Sequence, residues 1–232
     1  MALILFGGGI SAVSGSIGGT VFSRNRYGAI ARNRSIPVNP NSSRQQAIKN
    51  IMGSVVASWF NDLSLAQRQA WSVYAAAIPR TNKLGQTITL TGFNHYVRTN
   101  ISRVSNGFTR ILDGPVNLTL PPTDGIFDVA WSEGSQEVSV TFDTNADWVT
   151  QDSAFMSIHQ GAPQNSAIQF FGNHFRRIGN ILGDSGSPPT SPQTIAVDFP
   201  IAQTQKVWGF GRVQEVDGRL SDKFRADSVV TA

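Results

Sequence analysis

The spacing of apolar positions changes twice along the chain and divides it into three segments. Residues 1–41 show no sustained period, residues 42–112 repeat apolar side chains every three or four positions, and residues 113–232 alternate apolar and polar positions. A period near 3.6 is typical of amphipathic helices, and a period of 2 is typical of strands with one buried face. The pattern predicts an α+β chain with an extended arm, a small helical domain and a β-sandwich, in that order.

The helical segment is predicted to begin with a long amphipathic helix. Its wide apolar face includes the neighbouring pair Trp59 and Phe60, which we interpret as core. Ser43 and Gln46 match a capping box, in which each side chain satisfies a backbone amide of the first turn. We therefore expect the helix to start next to Ser43.

Two more helices are predicted downstream. Ser64 and Gln67 match a second capping box, and the helix that follows is ended by Pro79. The joint between the first two helices is short, which favours an αα-hairpin. A third helix is predicted over residues 91–104, with His95 on its polar, solvent-facing side.

The β-rich segment follows a break in composition at residues 113–115, Asp-Gly-Pro. Short alternating runs at this spacing are typical of an immunoglobulin-like sandwich. The predicted strands are residues 116–120, 127–131, 138–142, 155–159, 168–171, 195–199, 207–213 and 224–230. We expect a tight hairpin turn at residues 216–219 and a loop at residues 183–192.

Residues 1–41 are predicted to form an extended arm. Glycine recurs at close intervals, and residues 20–23 and 29–31 match short strands. The segment is too polar and too rich in glycine to hold a core alone, so we expect it to become ordered against a partner. Its arginines recur at intervals of two and six, which places them on one side of an extended chain. They are Arg24, Arg26, Arg32 and Arg34.

Charge is distributed unevenly between the two halves of the chain. Residues 1–112 carry 12 Lys or Arg and one acid, Asp62, a net charge of +11. Residues 113–232 carry 7 Lys or Arg and 14 acids, a net charge of −7. This asymmetry indicates a basic half that binds an acidic surface and an acidic half that faces water.

Catalytic and metal-binding patterns are missing from the sequence. The chain has no cysteine and three histidines, His95, His159 and His174. It has no HExxH, G-x-S-x-G or Walker A motif, and no stretch long and apolar enough to predict a membrane span. We therefore predict a non-enzymatic protein with no cofactor, no catalytic residue and no metal site.

Four stretches of the first half carry a family resemblance: residues 14–28, 37–47, 63–71 and 90–100. In this order they resemble the amino-terminal region of a family of uncharacterised structural proteins from tailed-phage and prophage genomes, over about residues 10–105. The second half resembles fibronectin type III or immunoglobulin-like domains in its strand pattern.

The resemblance implies a virion structural protein that is assembled in the host cytoplasm. We expect a capsid cement or decoration protein whose arm staples neighbouring subunits. Its partners would be the major capsid protein or other virion subunits, and it would form a homo-oligomer on the particle. The arm residues expected to bind the partner are Phe22, Arg24, Arg26, Tyr27, Arg32, Arg34 and Arg44.

Three alternatives stay open at this point. A component of the tail, the baseplate or the head–tail connector fits the same resemblance. A nucleic-acid-binding protein fits the basic first half, in which Tyr27 lies among arginines. A carbohydrate-binding or receptor-binding module would need exposed aromatic side chains, for which Trp148, Trp208 and the loop at residues 183–192 are the candidates.

Overall fold

The computed structural model describes residues 2–4, 7–10, 12–25, 28–36, 38–81, 86–172 and 174–232. The chain divides into two compact units, Met1–Gln46 and Ala47–Ala232. The boundary falls in the first turn of helix α1, Ser43–Asn61.

The first unit contains a four-stranded antiparallel sheet. Its strands, in the spatial order β1-β4-β3-β2, are β1 Ala2–Ile4, β2 Gly15–Ile17, β3 Thr20–Asn25 and β4 Gly28–Asn33. The segment predicted as an extended arm is therefore folded back on itself, although both short strands predicted within it are present. Glycine makes this possible, because Gly18 in the β2–β3 turn and Gly28 opposite Asn25 adopt φ of 56° and 125°.

Three helices form as predicted: α1, α2 Leu65–Ala77 and α3 Gly92–Ser105. The capping box of Ser64 and Gln67 is confirmed. The first cap was assigned one residue too late, because Ser42, and not Ser43, exchanges hydrogen bonds with the residue three positions on, Gln45. Asn41 has a φ of 49°, which turns the chain immediately before this cap.

The helices pack around Tyr96, which is fully buried. Its ring lies 5.3 Å from Trp59 and 5.6 Å from Trp71, and its hydroxyl donates to Ser58 Oγ at 2.9 Å. Only one of the two residues predicted as core is buried: Trp59 is buried, whereas Phe60 is 63% exposed. The apolar face of α1 is wider than the surface that α2 and α3 cover.

The second half is an immunoglobulin-like sandwich, as predicted. One sheet has three strands in the order β12-β8-β7. In the larger sheet, β13 pairs with β14 along one edge and with β9 and the short β10 along the other edge. Strand β11 pairs with the outer edge of β9. The strands are β7 Asp128–Ser132, β8 Glu137–Thr141, β9 Phe155–Gly161, β10 Gln164–Asn165, β11 Phe175–Leu182, β12 Gln193–Ala196, β13 Gln205–Gln214 and β14 Phe224–Val229. Strands β5 Arg80–Thr81 and β6 Thr87–Ile88 form a separate short pair before α3.

Two predicted strands of the sandwich are wrong, and two strands, β10 and β11, were missed. Residues 116–120 and 168–171 are irregular, and they lack ladder partners in the part of the chain that the structure describes. The longer missed strand, β11, pairs with β9 through a register shift between Arg177 and Gly179. A bulge of this kind interrupts the alternation on which strand prediction depends.

Helices and sandwich belong to the same compact unit, Ala47–Ala232. Polar groups of α3 bind the sandwich directly. Gln214 Nε2 donates to the carbonyl oxygen of Thr99 at 3.1 Å, and Arg103 Nη1 donates to the carbonyl oxygen of Ser153 at 3.2 Å. Helix α3 is thus covered on its polar side as well as on its apolar side.

Candidate interaction surface

Three of the predicted partner-binding residues, Phe22, Arg24 and Arg32, lie on the sheet of the first unit. Arg24 lies on β3, Arg32 on β4 and Arg34 directly after β4, all exposed, and Arg44 lies in the exposed first turn of α1. Phe22, on β3, is half-buried. The predicted residues Arg26 and Tyr27 lie outside the described residues.

The strand register places the arginines on both faces of the sheet. In an antiparallel pair, directly opposed residues point to the same face, and neighbours in a strand point to opposite faces. Arg24 is opposed by Ala29, whereas Arg32 is opposed by Val21. Since residues 29 and 32 differ by three positions, Arg24 and Arg32 lie on opposite faces, and the expectation of a single basic side is wrong.

The charge of the first unit has no internal compensation. Met1–Gln46 contains five arginines and neither Asp nor Glu, so the side-chain charge of this unit is +5. A guanidinium has a planar, fork-like set of donors that matches carboxylate and phosphate groups in bidentate geometry. The unit is therefore suited to bind an acidic surface.

Both outer strands of this sheet are open along one edge. β1 pairs with β4 and β2 pairs with β3, and neither has a second neighbour among the described strands. Leu3 on β1 and Ile17 on β2 are 73% and 72% exposed. An open edge with exposed apolar side chains is a template for pairing with a strand of another protein.

Helix α1 presents a second apolar surface. Ile48, Met52 and Phe60 follow one another at multiples of four residues and are all exposed. Residues at this spacing lie above one another on a helix, so they form a stripe. The sequence showed these positions as apolar but did not show which of them the other helices would leave uncovered.

His95 is buried, which corrects the prediction of a surface histidine. It is 3% exposed, its ring lies 5.3 Å from Tyr74, and its Nε2 has no hydrogen-bond partner. Burial, and then the charges of Arg98 and Arg80, lower the pKa of His95 to about 4. The described residues contain no group of three or more His, Asp or Glu that could hold a metal ion.

The aromatic side chains proposed for carbohydrate binding are not accessible. Trp148 and Trp208 are both buried, Trp148 within the core of the sandwich. The loop at residues 183–192 is present as predicted, and Ser185 binds Asp152 through two hydrogen bonds. Across the described part of the chain, no helix combines the length and apolar character of a membrane span.

Comparisons with known proteins found structural likeness over part of the chain only. No family model and no curated protein sequence matches the chain. An Fn3-like protein from Clostridium thermocellum is similar over 49% of this chain and 97% of its own length, with 10% identity and a TM-score of 0.32. The adhesin domain of Epf from Streptococcus pyogenes is similar over 49% of this chain and 34% of its own, with 12% identity and a TM-score of 0.31. At these scores the likeness carries no argument, and the fold is defined by the strand order given above.

Proposed function

We propose that this chain is a non-enzymatic structural protein of a tailed-phage particle, and that it acts as a capsid cement protein. Its first unit binds between neighbouring virion subunits, and its helices and sandwich remain outside the contact. The resemblance of residues 10–105 to phage structural proteins supports this class of function. The observation that carries the binding role is the placement of uncompensated arginines on both faces of a sheet with open edges.

A sheet with cations on both faces can bind two surfaces at once. Arg24 would contact carboxylates of one neighbour and Arg32 carboxylates of the other, because they point in opposite directions. Strand β1 or β2 would meanwhile extend a sheet of one neighbour through backbone hydrogen bonds. When two contacts belong to one rigid element, the first contact holds the second at a high effective concentration, so the overall affinity exceeds that of either contact alone. A cement protein needs this property.

Binding to particles that lack the chain tests this proposal. Arg24→Glu and Arg32→Glu each change the net charge by −2, and so does Lys49→Glu, which lies outside the first unit on the exposed side of α1. We expect the two arginine variants to bind about tenfold more weakly, because a charge-assisted hydrogen bond contributes ~1.5–3 kcal/mol. Lys49→Glu should bind as the unaltered chain does.

Deletion of residues 1–41 should abolish binding while helices and sandwich still fold. Equal binding by the deletion variant would contradict the proposal. A position on the tail, the baseplate or the head–tail connector is the alternative within the same class. Gold labelling of assembled particles distinguishes these positions.

Nucleic-acid binding is the second candidate, and the +5 charge of the first unit favours it. Such binding is dominated by phosphate contacts, so the affinity for DNA would fall steeply and linearly on a log–log plot against salt. Micromolar or tighter binding of a DNA duplex at low salt, lost in both arginine variants, would support it. Weaker binding would exclude it.

A further inference from the structure

The cations of the sandwich are confined to one of its two sheets. Residues 113–175 contain no Lys or Arg. All seven cations of the sandwich lie on β11, β13 or β14 or in the hairpin that connects β13 to β14. They are Arg176, Arg177, Lys206, Arg212, Arg219, Lys223 and Arg225. The sequence predicts a uniformly acidic domain, but the fold makes it dipolar.

Helix α3 binds part of the outer face of the larger sheet at Gln214, and aromatic rings lie beneath the cations on the rest of this face. On β13, Val207 and Val213 belong to the core, so Phe210 points to the opposite, outer side. Phe210 stacks on His159 at 4.1 Å, and Lys223 Nζ lies 4.5 Å from the centre of the Phe210 ring. The guanidinium of Arg225 lies 5.4 Å from the Phe175 ring in the same way.

Three of these cations are paired with carboxylates: Lys206 with Asp227, Arg176 with Asp198, and Arg219 with Glu215 and Asp217. Lys223 and Arg225 form no ion pair within the part of the chain that the structure describes. Burial, followed by the charges of Arg225 and Arg98, lowers the pKa of Lys223. The like charges therefore repel one another, and an anionic surface placed over them would relieve the repulsion.

The outer face of the three-stranded sheet has the opposite character. Val129 and Trp131 of β7, and Val138 and Val140 of β8, point into the core. The residues between them point outward and are small or acidic, and they are Asp128, Ala130, Ser132, Glu137, Ser139 and Thr141. A shallow hollow of about 170 Å³ lies over this face, next to Glu137. The face is therefore flat and acidic, and it carries no cation.

We propose that the chain self-associates head to tail, with Lys223 and Arg225 of one copy docked on Asp128 and Glu137 of the next. A second copy is favoured because one chain carries both halves of a contact that is complementary in charge. Nucleic acid is disfavoured at this face because Trp208 and Phe210 are 5% and 4% exposed and cannot stack on bases. A contact between two different surfaces repeats from copy to copy, so it produces a ring or a filament.

This inference does not depend on the proposed function, since none of its residues lies in the first unit. Two variants test it: Lys223→Glu/Arg225→Glu, which reverses the basic face, and Asp128→Lys/Glu137→Lys, which reverses the acidic face. Three of the substituted side chains are exposed, namely Lys223, Arg225 and Asp128, and the fourth, Glu137, is half-buried on the strand surface. Circular dichroism verifies that each variant folds. Lys49→Glu, on the exposed side of α1 and outside the first unit, is the control for added negative charge.

Analytical ultracentrifugation of the full chain at low salt should show oligomers that dissociate as salt is added. Each reversed variant alone should sediment as a monomer, because each combines two faces of like charge. An equimolar mixture should assemble again, since the intact acidic face of one variant fits the intact basic face of the other, and the two reversed faces also carry opposite charges.

The charge control should assemble as the unaltered chain does. A monomeric unaltered chain at all concentrations, or a mixture of the two variants that stays monomeric, would overturn the proposal. Binding of a DNA duplex that is lost only in Lys223→Glu/Arg225→Glu would also overturn it, in favour of a nucleic-acid partner at this face.

Discussion

Thr99 and Gly218 are joined by a hydrogen bond although 119 residues separate them. Thr99 Oγ1, on helix α3, donates to the carbonyl oxygen of Gly218 at 2.9 Å. Gly218 lies in the turn between β13 and β14, where it has a φ of 92°. The helices thus bind the hairpin that carries the central strand of the larger sheet, which explains why helices and sandwich form one compact unit.

Gly218→Ala is expected to destabilise this unit by about 2 kcal/mol. A Cβ at this position would be strained at positive φ, and it would lie 3.0 Å from Thr99 Cγ2 and 3.1 Å from Ile111 Cδ1. Urea unfolding followed by circular dichroism measures the change. Gly125→Ala is the control, because its Cβ would meet no atom within 4 Å and its φ is not positive. Equal midpoints for the two variants would contradict the role of this contact.

Stability is expected to fall as the pH decreases from about 6.5 to about 4. Burial is the largest cause that lowers the pKa of both His95 and His159 to about 4 in the folded chain. The unfolded chain binds these protons first, near pH 6.5, so the free energy of unfolding is highest above that pH and is lost as the pH falls. Denaturation midpoints at several pH values measure the slope.

His95→Phe should reduce the dependence of stability on pH to about half, because His159 remains. Asn94→Ala, at the exposed neighbouring position on α3, is the control and should leave the slope unchanged. An unchanged slope in His95→Phe would show that the buried imidazole is not the group that titrates.

Gly28→Ala is expected to open the β3–β4 hairpin without affecting the second unit. Gly28 has a φ of 125°, which costs an alanine about 1–2 kcal/mol, and no neighbouring atom lies within 4 Å of its ideal Cβ. Trypsin should then cleave the variant faster after Arg24 and Arg32. Gly19→Ala, which has equal space and no positive φ, should be cleaved at the rate of the unaltered chain.

Gln160→Leu is expected to lower the free energy of unfolding by about 3 kcal/mol. The carboxamide of this fully buried residue accepts from the amides of Asp198 and Phe199 and donates to the carbonyl oxygen of Phe199. Leucine would leave these backbone groups buried without partners. Chemical denaturation measures the effect, and the exposed Gln203→Leu should change stability by less than about 0.5 kcal/mol.

Patterns that depend on local spacing were predictable from the sequence. The capping box of Ser64 and Gln67 and the turn at Gly218 depend only on neighbouring residues, and both are confirmed. The alternation of Val138 and Val140 likewise identified a strand whose inner face is core. These features follow from the period of the backbone and from the chemistry of single side chains.

Features that depend on pairing between distant segments could not be read from spacing. The faces of Arg24 and Arg32 are decided by the hairpin register, in which a shift of one residue exchanges the sides. His95 lies on the polar side of α3, yet it is buried, with its ring 5.3 Å from Tyr74 of α2. The division of charge between the two sheets likewise required the strand order.

Limited trypsin proteolysis, read by mass spectrometry, tests the role of the first unit most directly. The chain alone should be cleaved after Arg34, which is exposed and follows β4, and more slowly after Arg24 and Arg32, which lie in paired strands. After incubation with phage particles that lack the chain, we expect the same bonds to be protected while the chain sediments with the particles. Cleavage of these bonds at equal rates in the free and particle-bound chain would contradict the account, because the basic sheet would then lie outside the contact.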